Sequence, residues 1–221
     1  MSYNKNICGR YTLYTTDELE DRYRVEVNDA IRANYNVAPS QIMPVITQDG
    51  LRMMRWGLIP PWAKDEKIGY KLINARAETV FEKPMWKKPV MQRRCLIPAN
   101  GFYEWKKLED GKHPHYIHLK DEELFSFAGI WETWKHDGKT WETYSILTTT
   151  PNKEMEDIHD RMPVILHKDD EAQYLSADTE EDIAVLLQPY TNGKLEAYEV
   201  GTEVNTVKVN HKTLIGPINS K

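Results

Sequence analysis

The sequence has few of the features that mark several common protein classes. Its two cysteines, Cys8 and Cys95, are too few for a disulfide framework or a set of cysteine zinc ligands. No run reaches the roughly 18 apolar residues of a membrane span, and the N-terminus has no apolar signal core. Metal-ligand spacings and phosphate-binding glycine loops are also missing, so we expect no metal and no cofactor. These absences favour a cytoplasmic protein in a reducing compartment.

Positive charge is not in excess either. The chain has 29 Lys and Arg against 34 Asp and Glu, a formal net charge of −5. The molecule as a whole is therefore not a typical polyanion binder. A basic groove can still lie on an acidic protein, so this argument against nucleic acid is mild.

The aromatic content is high and indicates β-structure. The 221 residues include 7 Trp and 12 Tyr, which are typical of strands and of aromatic packing. Alternating apolar residues and glycine turns predict many strands, among them a hairpin of Ile42–Thr47 with residues 51–56 and a strand at 163–166. We expect an α+β fold with one domain over residues 1–221, in which short helices flank an antiparallel, barrel-like sheet.

The two cysteines differ in their surroundings. A cysteine is usually a packing residue, and we expect this of Cys95. Cys8 lies near the chain start and precedes Gly9, which lets a ligand approach the backbone. If processing exposes the Cys8 α-amine, which titrates near ~7.7–8.0, this one residue carries two nucleophiles. The amine can attack a carbonyl to give an imine, and the thiol can then close a five-membered ring.

Two side chains are candidates for moving protons. His159 precedes Asp160 and Arg161, and an imidazole that titrates near ~6.5 can exchange protons with an imine. A histidine at a helix end is more often a surface or capping residue. Glu104 lies between two aromatic residues, a setting that favours the neutral carboxyl and a general acid. A surface carboxylate on the polar side of a strand fits the pattern equally well.

A further group of polar residues has strand spacing. Asn74, Arg76 and Glu78 alternate with apolar or small residues, which predicts polar positions on one strand face. An amide there can orient an amine, and an arginine can bind a phosphate. By themselves these residues are not a specific motif.

Six motifs taken together are specific. They are Cys-Gly-Arg-Tyr (8–11), Tyr-Asn-Val-Ala-Pro (35–39), Arg-Trp-Gly-Leu-Ile-Pro (55–60), Asn-Ala-Arg-Ala-Glu-Thr (74–79), Gly-Phe-Tyr-Glu-Trp (101–105) and His-Asp-Arg-Met-Pro (159–163). In this combination the chain resembles the SOS response-associated peptidase (SRAP) family of abasic-site sensors. The resemblance implies one domain with a β-barrel-like core and a positively charged groove for single-stranded DNA. It also implies a thiazolidine crosslink between an N-terminal cysteine and the ring-opened aldehyde of an abasic site.

The resemblance implies a role for each candidate residue. Cys8 is similar to the crosslinking residue, and Asn74 to the amide that positions it. Glu104 corresponds to the acid that helps to open the deoxyribose, and His159 to the histidine that assists imine chemistry and reversal. The implied DNA contacts are arginines at phosphates and apolar or aromatic groups beside the lesion: Arg10, Arg76, Arg161, Pro39, Trp62 and Leu72. The expected partner is single-stranded DNA with abasic sites, bound by a monomer at the nucleoid during DNA damage.

One departure from the family concerns the N-terminus. The family's cysteine directly follows the initiator methionine, whereas residues 1–7 precede Cys8 here. While that segment is attached, the Cys8 nitrogen is an amide and cannot form a thiazolidine. We expect removal of residues 1–7, by the protein itself in keeping with the family's peptidase label. Translation from a later start and loss of crosslinking are the alternatives.

Two other functions stay open at this point. One is a cysteine peptidase with Cys8 as nucleophile and His159 as base. Asn74 or Glu104 would then orient the imidazole, and an N-terminal extension would be tolerated because only the thiol reacts. The other is a nucleic-acid-binding module without chemistry, in which Cys8 is incidental.

Overall fold

The structure is a computed structural model that describes residues 9–27 and 31–218. Within them the strands are β1 (Arg10–Leu13), β2 (Asn34–Val37), β3 (Ile42–Thr47), β4 (Gly50–Trp56), β5 (Asn74–Arg76), β6 (Arg94–Ala99), β7 (Gly101–Leu108), β8 (Gly111–Leu119), β9 (Phe125–His136), β10 (Lys139–Thr149), β11 (Met162–Pro163), β12 (Ile165–Leu166) and β13 (Leu195–Glu199). The α-helices are α1 (Leu19–Tyr23), α2 (Pro84–Gln92), α3 (Lys153–Glu156), α4 (Glu171–Ser176) and α5 (Glu180–Ala184). The 3-10 turns are Thr16–Glu18, Glu66–Lys71, Ala77–Thr79, Lys168–Asp170, Thr202–Asn205 and Lys212–Ile215. In these described ranges no helix has the length and apolar character needed to cross a membrane.

Five strands close into a ring. β10 pairs with β4, β4 with β3, β3 with β6 and β6 with β9, and β9 pairs with β10 again. β5, β11 and β12 extend this sheet outside the ring. Most pairings are antiparallel, but β4 and β5 run parallel to β10. The structure confirms the single-domain α+β fold with a barrel-like core, and it shows that the sheet is mixed rather than antiparallel throughout.

A second sheet packs against this barrel. Its strand order is β13-β8-β7-β1-β2, and each described pairing in it is antiparallel. Tyr11 and Phe102 from this sheet share a buried core with Tyr144 from the barrel. The Tyr11 and Tyr144 hydroxyl oxygens are 2.8 Å apart, and the Tyr11 ring meets Trp56 edge-on at 5.2 Å between centroids. These contacts hold β1, which starts two residues after Cys8, against β10.

Two glycines allow the backbone to cross itself closely. Gly57 follows β4 with φ +112°, and a Cβ on it would lie 2.5 Å from the Gly69 oxygen. A Cβ on Gly69 would lie 2.7 Å from the Gly57 oxygen. A larger residue at either position would force the two segments apart. The contact therefore fixes the loop after β4 on the 3-10 turn Glu66–Lys71.

The predicted hairpin is confirmed, whereas the predicted strand at 163–166 is divided. β3 and β4 pair in register around the turn before Gly50. β11 pairs with β10, but β12 pairs with β9. Val164 lies between them, donates its N–H to Leu147 O and accepts from Ala128 N–H. The short segment thus bridges two strands of the ring instead of continuing along one.

The placement of Glu78 on a strand was wrong. β5 ends at Arg76, and Glu78 lies in the 3-10 turn Ala77–Thr79. A strand of only three residues cannot be separated from its flanks by an alternating pattern. The change removes Glu78 from the row of Asn74 and Arg76.

The C-terminal segment covers the outer face of the second sheet. Val204 packs with Tyr103, and both are fully buried. The Asn36 amide nitrogen lies 3.3, 3.1 and 2.9 Å from the carbonyl oxygens of Val204, Thr206 and Val209. Asn36, from the second of the six motifs, therefore anchors a segment that follows it by more than 160 residues.

Candidate active site

Glu104 is buried in β7, with 2% of its surface exposed. Its partner on β8 is His115, and the preceding residue, Tyr103, pairs with Arg10 on β1. Glu104 therefore lies beside the beginning of β1. Its burial is inconsistent with the alternative of a surface carboxylate. Cys8, like residues 1–7, lies outside the described residues.

Asn74 and Arg76 lie on β5, along the edge of β10. Ile146 pairs with Asn74, and Thr148 pairs with Arg76. Asn74 is half-buried, whereas the Arg76 side chain is exposed. The sequence-based placement of both residues on a strand is confirmed.

His159 follows α3 and is mostly enclosed, with 18% of its side chain exposed. Asn152 caps the start of the helix through its side chain, which accepts from the Met155 N–H, and Met155 O accepts from the His159 N–H. These bonds fix the histidine backbone at the helix end. His159 is thus a partly buried residue rather than an exposed one.

The His159 ring nitrogen Nδ1 has two neighbours that require different protonation states. It accepts a hydrogen bond from the Arg161 backbone N–H at 3.2 Å, which needs a lone pair on Nδ1. It also lies 3.0 Å from Asp160 Oδ1, a contact that favours a proton on Nδ1. Asp160 is 65% exposed and can turn away, so the neutral ring keeps the bond from the Arg161 backbone. The imidazole therefore has a partner in either charge state, as a proton-transfer group requires.

Arg161 binds a carboxylate and a strand at the same time. Its Nη1 and Nη2 donate to Glu78 Oε1 and Oε2 at 2.7 and 2.8 Å, a bidentate pair. Nη2 also donates to Thr148 O at 2.7 Å. Partial burial tends to raise the pKa of Glu78, but the hydrogen bonds from Arg161 and its own backbone, with the charges of Arg161 and Arg76, hold it below the usual value.

Arg10 lies at the start of β1 and is half-buried. Its Nη1 donates to Gly9 O at 3.0 Å. Burial lowers the pKa of Arg10 from its usual value, but an arginine stays charged at neutral pH. Its cation therefore lies next to the residue that follows Cys8.

The three predicted base contacts lie on neighbouring loops. Pro39 precedes Ser40, whose N–H donates to Trp56 O, and Leu72 O accepts from Leu58 N–H. Trp62 is 65% exposed and lines a cavity of about 530 Å³ together with neighbouring lysines. An exposed tryptophan among lysines suits stacking on a base beside a phosphate.

The predicted residues form two groups that the core connects. Glu104 and Arg10 belong to the second sheet, whereas Asn74, Arg76 and Arg161 surround β10. The Tyr11–Tyr144 hydroxyl contact joins β1 to β10 between these groups. By contrast, a groove of about 950 Å³ between α1, α4 and the β3–β4 hairpin includes none of the predicted site residues.

Sequence reasoning missed two contributors to this region. Thr148 accepts a hydrogen bond from Arg161 through its carbonyl and pairs with Arg76 across the strands. It lies in a run of threonines with no distinguishing pattern. Asn205 accepts a hydrogen bond from the Trp105 indole at 2.8 Å, directly after Glu104. The segment after residue 190 carries no recognisable motif, so its position beside β7 could not be inferred.

Comparisons with known proteins agree on one family and one fold. The sequence profile described as "SOS response associated peptidase (SRAP)" matches residues 7–207. The Abasic site processing protein YoqW of Bacillus subtilis is 48% identical over 95% of this chain and 99% of its own. The Abasic site processing protein HMCES of Gallus gallus is 31% identical over 85% of this chain and 67% of its own. A crystal structure of a protein from Bacteroides thetaiotaomicron superposes with a TM-score of 0.90 at 32% identity, covering 96% of this chain and all of that one.

Proposed function

The chain belongs to the SOS response associated peptidase (SRAP) family, and we propose that it captures abasic sites in single-stranded DNA through Cys8. The product is a covalent thiazolidine between the Cys8 residue and the sugar aldehyde. Support comes from relatives named abasic site processing proteins and from the buried Glu104 beside the start of β1. That placement of a carboxyl group next to the N-terminal strand is the observation on which the proposal depends.

The reaction needs proton transfer but no oxidant or reductant. Opening of the deoxyribose breaks the bond between C1′ and the ring oxygen, which takes up a proton while the C1′ hydroxyl loses one. The Cys8 α-amine then attacks the aldehyde, and loss of one water gives an imine. Addition of the thiol across the C=N bond forms the C–S bond and puts a proton on nitrogen.

Each nearby side chain fits one of these steps. Glu104 supplies the proton to the ring oxygen, because its buried position limits competition from water. His159 moves protons at the imine, since its ring has a partner in either charge state. Asn74 orients the amine from the edge of β10.

DNA binding depends on local charge and stacking rather than on net charge. Arg10 and Arg76 bind phosphates next to the lesion, and Trp62 stacks on an adjacent base, with Pro39 and Leu72 filling the gap. We expect a monomer to suffice, because these groups lie on one chain. Arg161 is the third phosphate ligand, and in the structure its guanidinium binds Glu78.

The chemistry requires removal of residues 1–7, which we propose is self-processing. We expect the intact mass of the protein purified from cells to be that of a chain that begins at Cys8. Retention of Ile7 would contradict the crosslinking function for this chain. The protein performs its own cleavage if the Cys8→Ala variant keeps residues 1–7 while a variant with a substitution outside the site loses them.

A denaturing gel tests the main proposal. The protein is incubated with single-stranded DNA that carries one abasic site, and we expect a covalent band that both Cys8→Ala and Cys8→Ser abolish. Cys95→Ala is the matched control, because Cys95 is fully buried and burial raises the pKa of its thiol far above the usual value. Its band should equal that of the wild type.

The same gel, together with a DNA-binding assay and a peptide-cleavage assay, separates the other two functions. Salt-sensitive binding without a covalent band indicates a nucleic-acid-binding module. Turnover of peptides by a chain that keeps residues 1–7 indicates a cysteine peptidase. Either result would contradict the proposed crosslink.

A further inference from the structure

A row of three ionisable side chains crosses the second sheet, beginning at Glu104. Glu104 on β7 pairs with His115 on β8, and His115 pairs with Glu199 on β13. Residues directly opposite each other in antiparallel strands have Cβ atoms about 4.5–5.5 Å apart on one face of the sheet. Phe102, two residues before Glu104, lies in the core shared with the barrel, so the row lies on the barrel side. It leads from the buried carboxyl to β13, the last strand of this sheet.

Exposure to solvent rises along this row. Glu104 is buried, His115 is partly exposed, and the Glu199 side chain is 34% exposed. The His113 ring lies beyond it, with Nδ1 2.7 Å from Glu199 Oε1 and Nε2 3.0 Å from Asp110 Oδ1. The Asp110 side chain is 74% exposed. The row therefore connects the buried carboxyl with solvent.

The His115 ring has a defined tautomer. Its Nδ1 lies 3.0 Å from the His113 carbonyl oxygen, and a carbonyl can only accept, so Nδ1 carries a proton. In the neutral ring Nε2 has the lone pair and is the nitrogen that can gain a further proton. His113 differs, because both of its nitrogens face carboxylates and these hydrogen bonds raise its pKa. Of the two histidines on this face, one holds a proton and the other can gain and release one.

Other charged groups near the row lie on β7 and α3. Lys106 on β7 pairs with His113 rather than with His115. α3 packs against β13 and carries Lys153, Glu154 and Glu156. The side chains directly opposite His115 are therefore the two carboxylates of the row.

On its other side Glu104 faces the residue that follows Cys8. Arg10 pairs with Tyr103, and extending this register by one residue places Gly9 opposite Glu104. A Cβ on Gly9 would have no atom of the described residues within 4 Å. A sugar can approach the Glu104 carboxyl through this space.

We propose that His115 is a proton relay, which returns a proton from solvent to Glu104 during abasic-site capture. This inference rests on the proposed function and refines it. Glu104 gives its proton to the ring oxygen and is left as a buried carboxylate, which is costly. His115 Nε2 takes up a proton from the Glu199 end of the row and passes it to that carboxylate, and the ring returns to its neutral form. The reprotonated Glu104 is then available for the second oxygen that needs a proton, the hydroxyl that leaves as water when the imine forms.

His115→Asn tests the proposal, because asparagine can still donate to the His113 carbonyl but cannot carry a proton. We expect crosslinking to an abasic site to slow about tenfold, less than the loss of a group that transfers a proton directly. Added imidazole should restore the rate in proportion to its concentration, since His115 acts through Glu104 and does not touch the sugar. The Kd for undamaged single-stranded DNA should stay within about twofold of the wild type.

His118→Asn is the matched control on the same strand. Its Nδ1 also lies beside a backbone carbonyl, 2.8 Å from Leu119 O, but it is three positions from His115 and therefore on the opposite face. We expect it to crosslink at the wild-type rate. Glu199→Gln should slow crosslinking less than His115→Asn does, and the double variant should be no slower than His115→Asn alone. Thermal unfolding of every variant checks that the fold is retained.

Three results would overturn the inference. One is a wild-type crosslinking rate for His115→Asn. Another is a slow His115→Asn variant that imidazole does not restore, which indicates a structural role. The third is an unchanged His115 ring resonance in Glu104→Gln, assigned by comparison with His115→Asn. The resonance tests the coupling of the two side chains even if the wild type forms no crosslink, in which case the proposed function fails separately.

Discussion

Arg94 and Arg161 are both largely buried, yet their guanidinium groups have different partners. Arg94 donates to backbone carbonyls at the end of α2, Val90 and Met91, and to further carbonyls after the start of α4: Tyr174, Leu175 and Ala177. Arg161 donates to the Glu78 carboxylate, which is 43% exposed, and to Thr148. Carbonyls of a fixed backbone cannot exchange, whereas an exposed carboxylate can be replaced or neutralised. We infer that the first arginine stabilises the scaffold and that the second serves the site.

The same substitution at both positions tests this difference most strongly. Arg94→Met leaves buried carbonyls without donors, so we expect the free energy of unfolding to fall by about 3–5 kcal/mol. Urea denaturation measures it. Lys88→Met removes one exposed charge from α2 and should change little. A loss below about 1 kcal/mol for Arg94→Met would refute a scaffold role.

Arg161→Met should have a small effect on stability and a large effect on crosslinking. We expect a loss of about 1–2 kcal/mol, because water can solvate the exposed Glu78 carboxylate that remains. Crosslinking should nevertheless fall about tenfold, since a proposed phosphate ligand beside the site is lost. Urea denaturation and the denaturing gel give the two values. Equal stability losses at the two arginines would remove the distinction.

Acid should weaken the ion pair of Glu78 and Arg161 but not the hydrogen bonds of Arg94 to backbone carbonyls. The folded pKa of Glu78 is lowered, so its stabilising contribution is complete above the unfolded pKa of about 4.3. It is lost as pH falls below that value through the lowered folded pKa. Unfolding midpoints between about pH 3 and 7 should therefore converge for wild type and Glu78→Gln at the acid end. A constant difference over that range would contradict this account.

A partly exposed histidine, His113, should give a pH effect of opposite sign and the smallest size. His113 lies 2.7 Å from Glu199 Oε1 and 3.0 Å from Asp110 Oδ1, and hydrogen bonds to both raise its pKa. Its contribution is complete below the unfolded pKa of about 6.5 and is lost as pH rises through the folded value. Thermal unfolding of His113→Asn should differ from wild type at about pH 6 and match it at about pH 9. A difference that grows with pH would show that the sign is wrong.

Local chemistry was the part of the structure that the sequence predicted well. The turn at Gln48-Asp49-Gly50 defines its hairpin through residues that are adjacent in the chain. The burial of Cys95 and the strand position of Asn74 also followed from neighbouring residues. The site assignments came from the resemblance and remain predictions, with Cys8 outside the described residues.

Distant contacts were the part that could not be predicted. The parallel pairing of β5 with β10 joins Asn74 to Ile146, and no local pattern specifies it. Asn36 belongs to one of the six motifs, but the sequence predicted no contact for it. Its side-chain amide anchors the segment from Val204 to Val209. Glu78 was misplaced because β5 has only three residues, too few for an alternating pattern to mark its end, and its partner Arg161 comes much later in the chain.

The closed ring of strands has a consequence for how the molecule can open. Each strand of the ring pairs with a neighbour on both sides, so a strand can leave only if both pairings break. The strands of the ring therefore resist fraying. β5 and β11, which flank the site, are appended to β10 by three and two residues. Their amide hydrogens should therefore exchange with deuterium well before those of β9 or β3. The edge of the site is thus held less firmly than the ring that carries it.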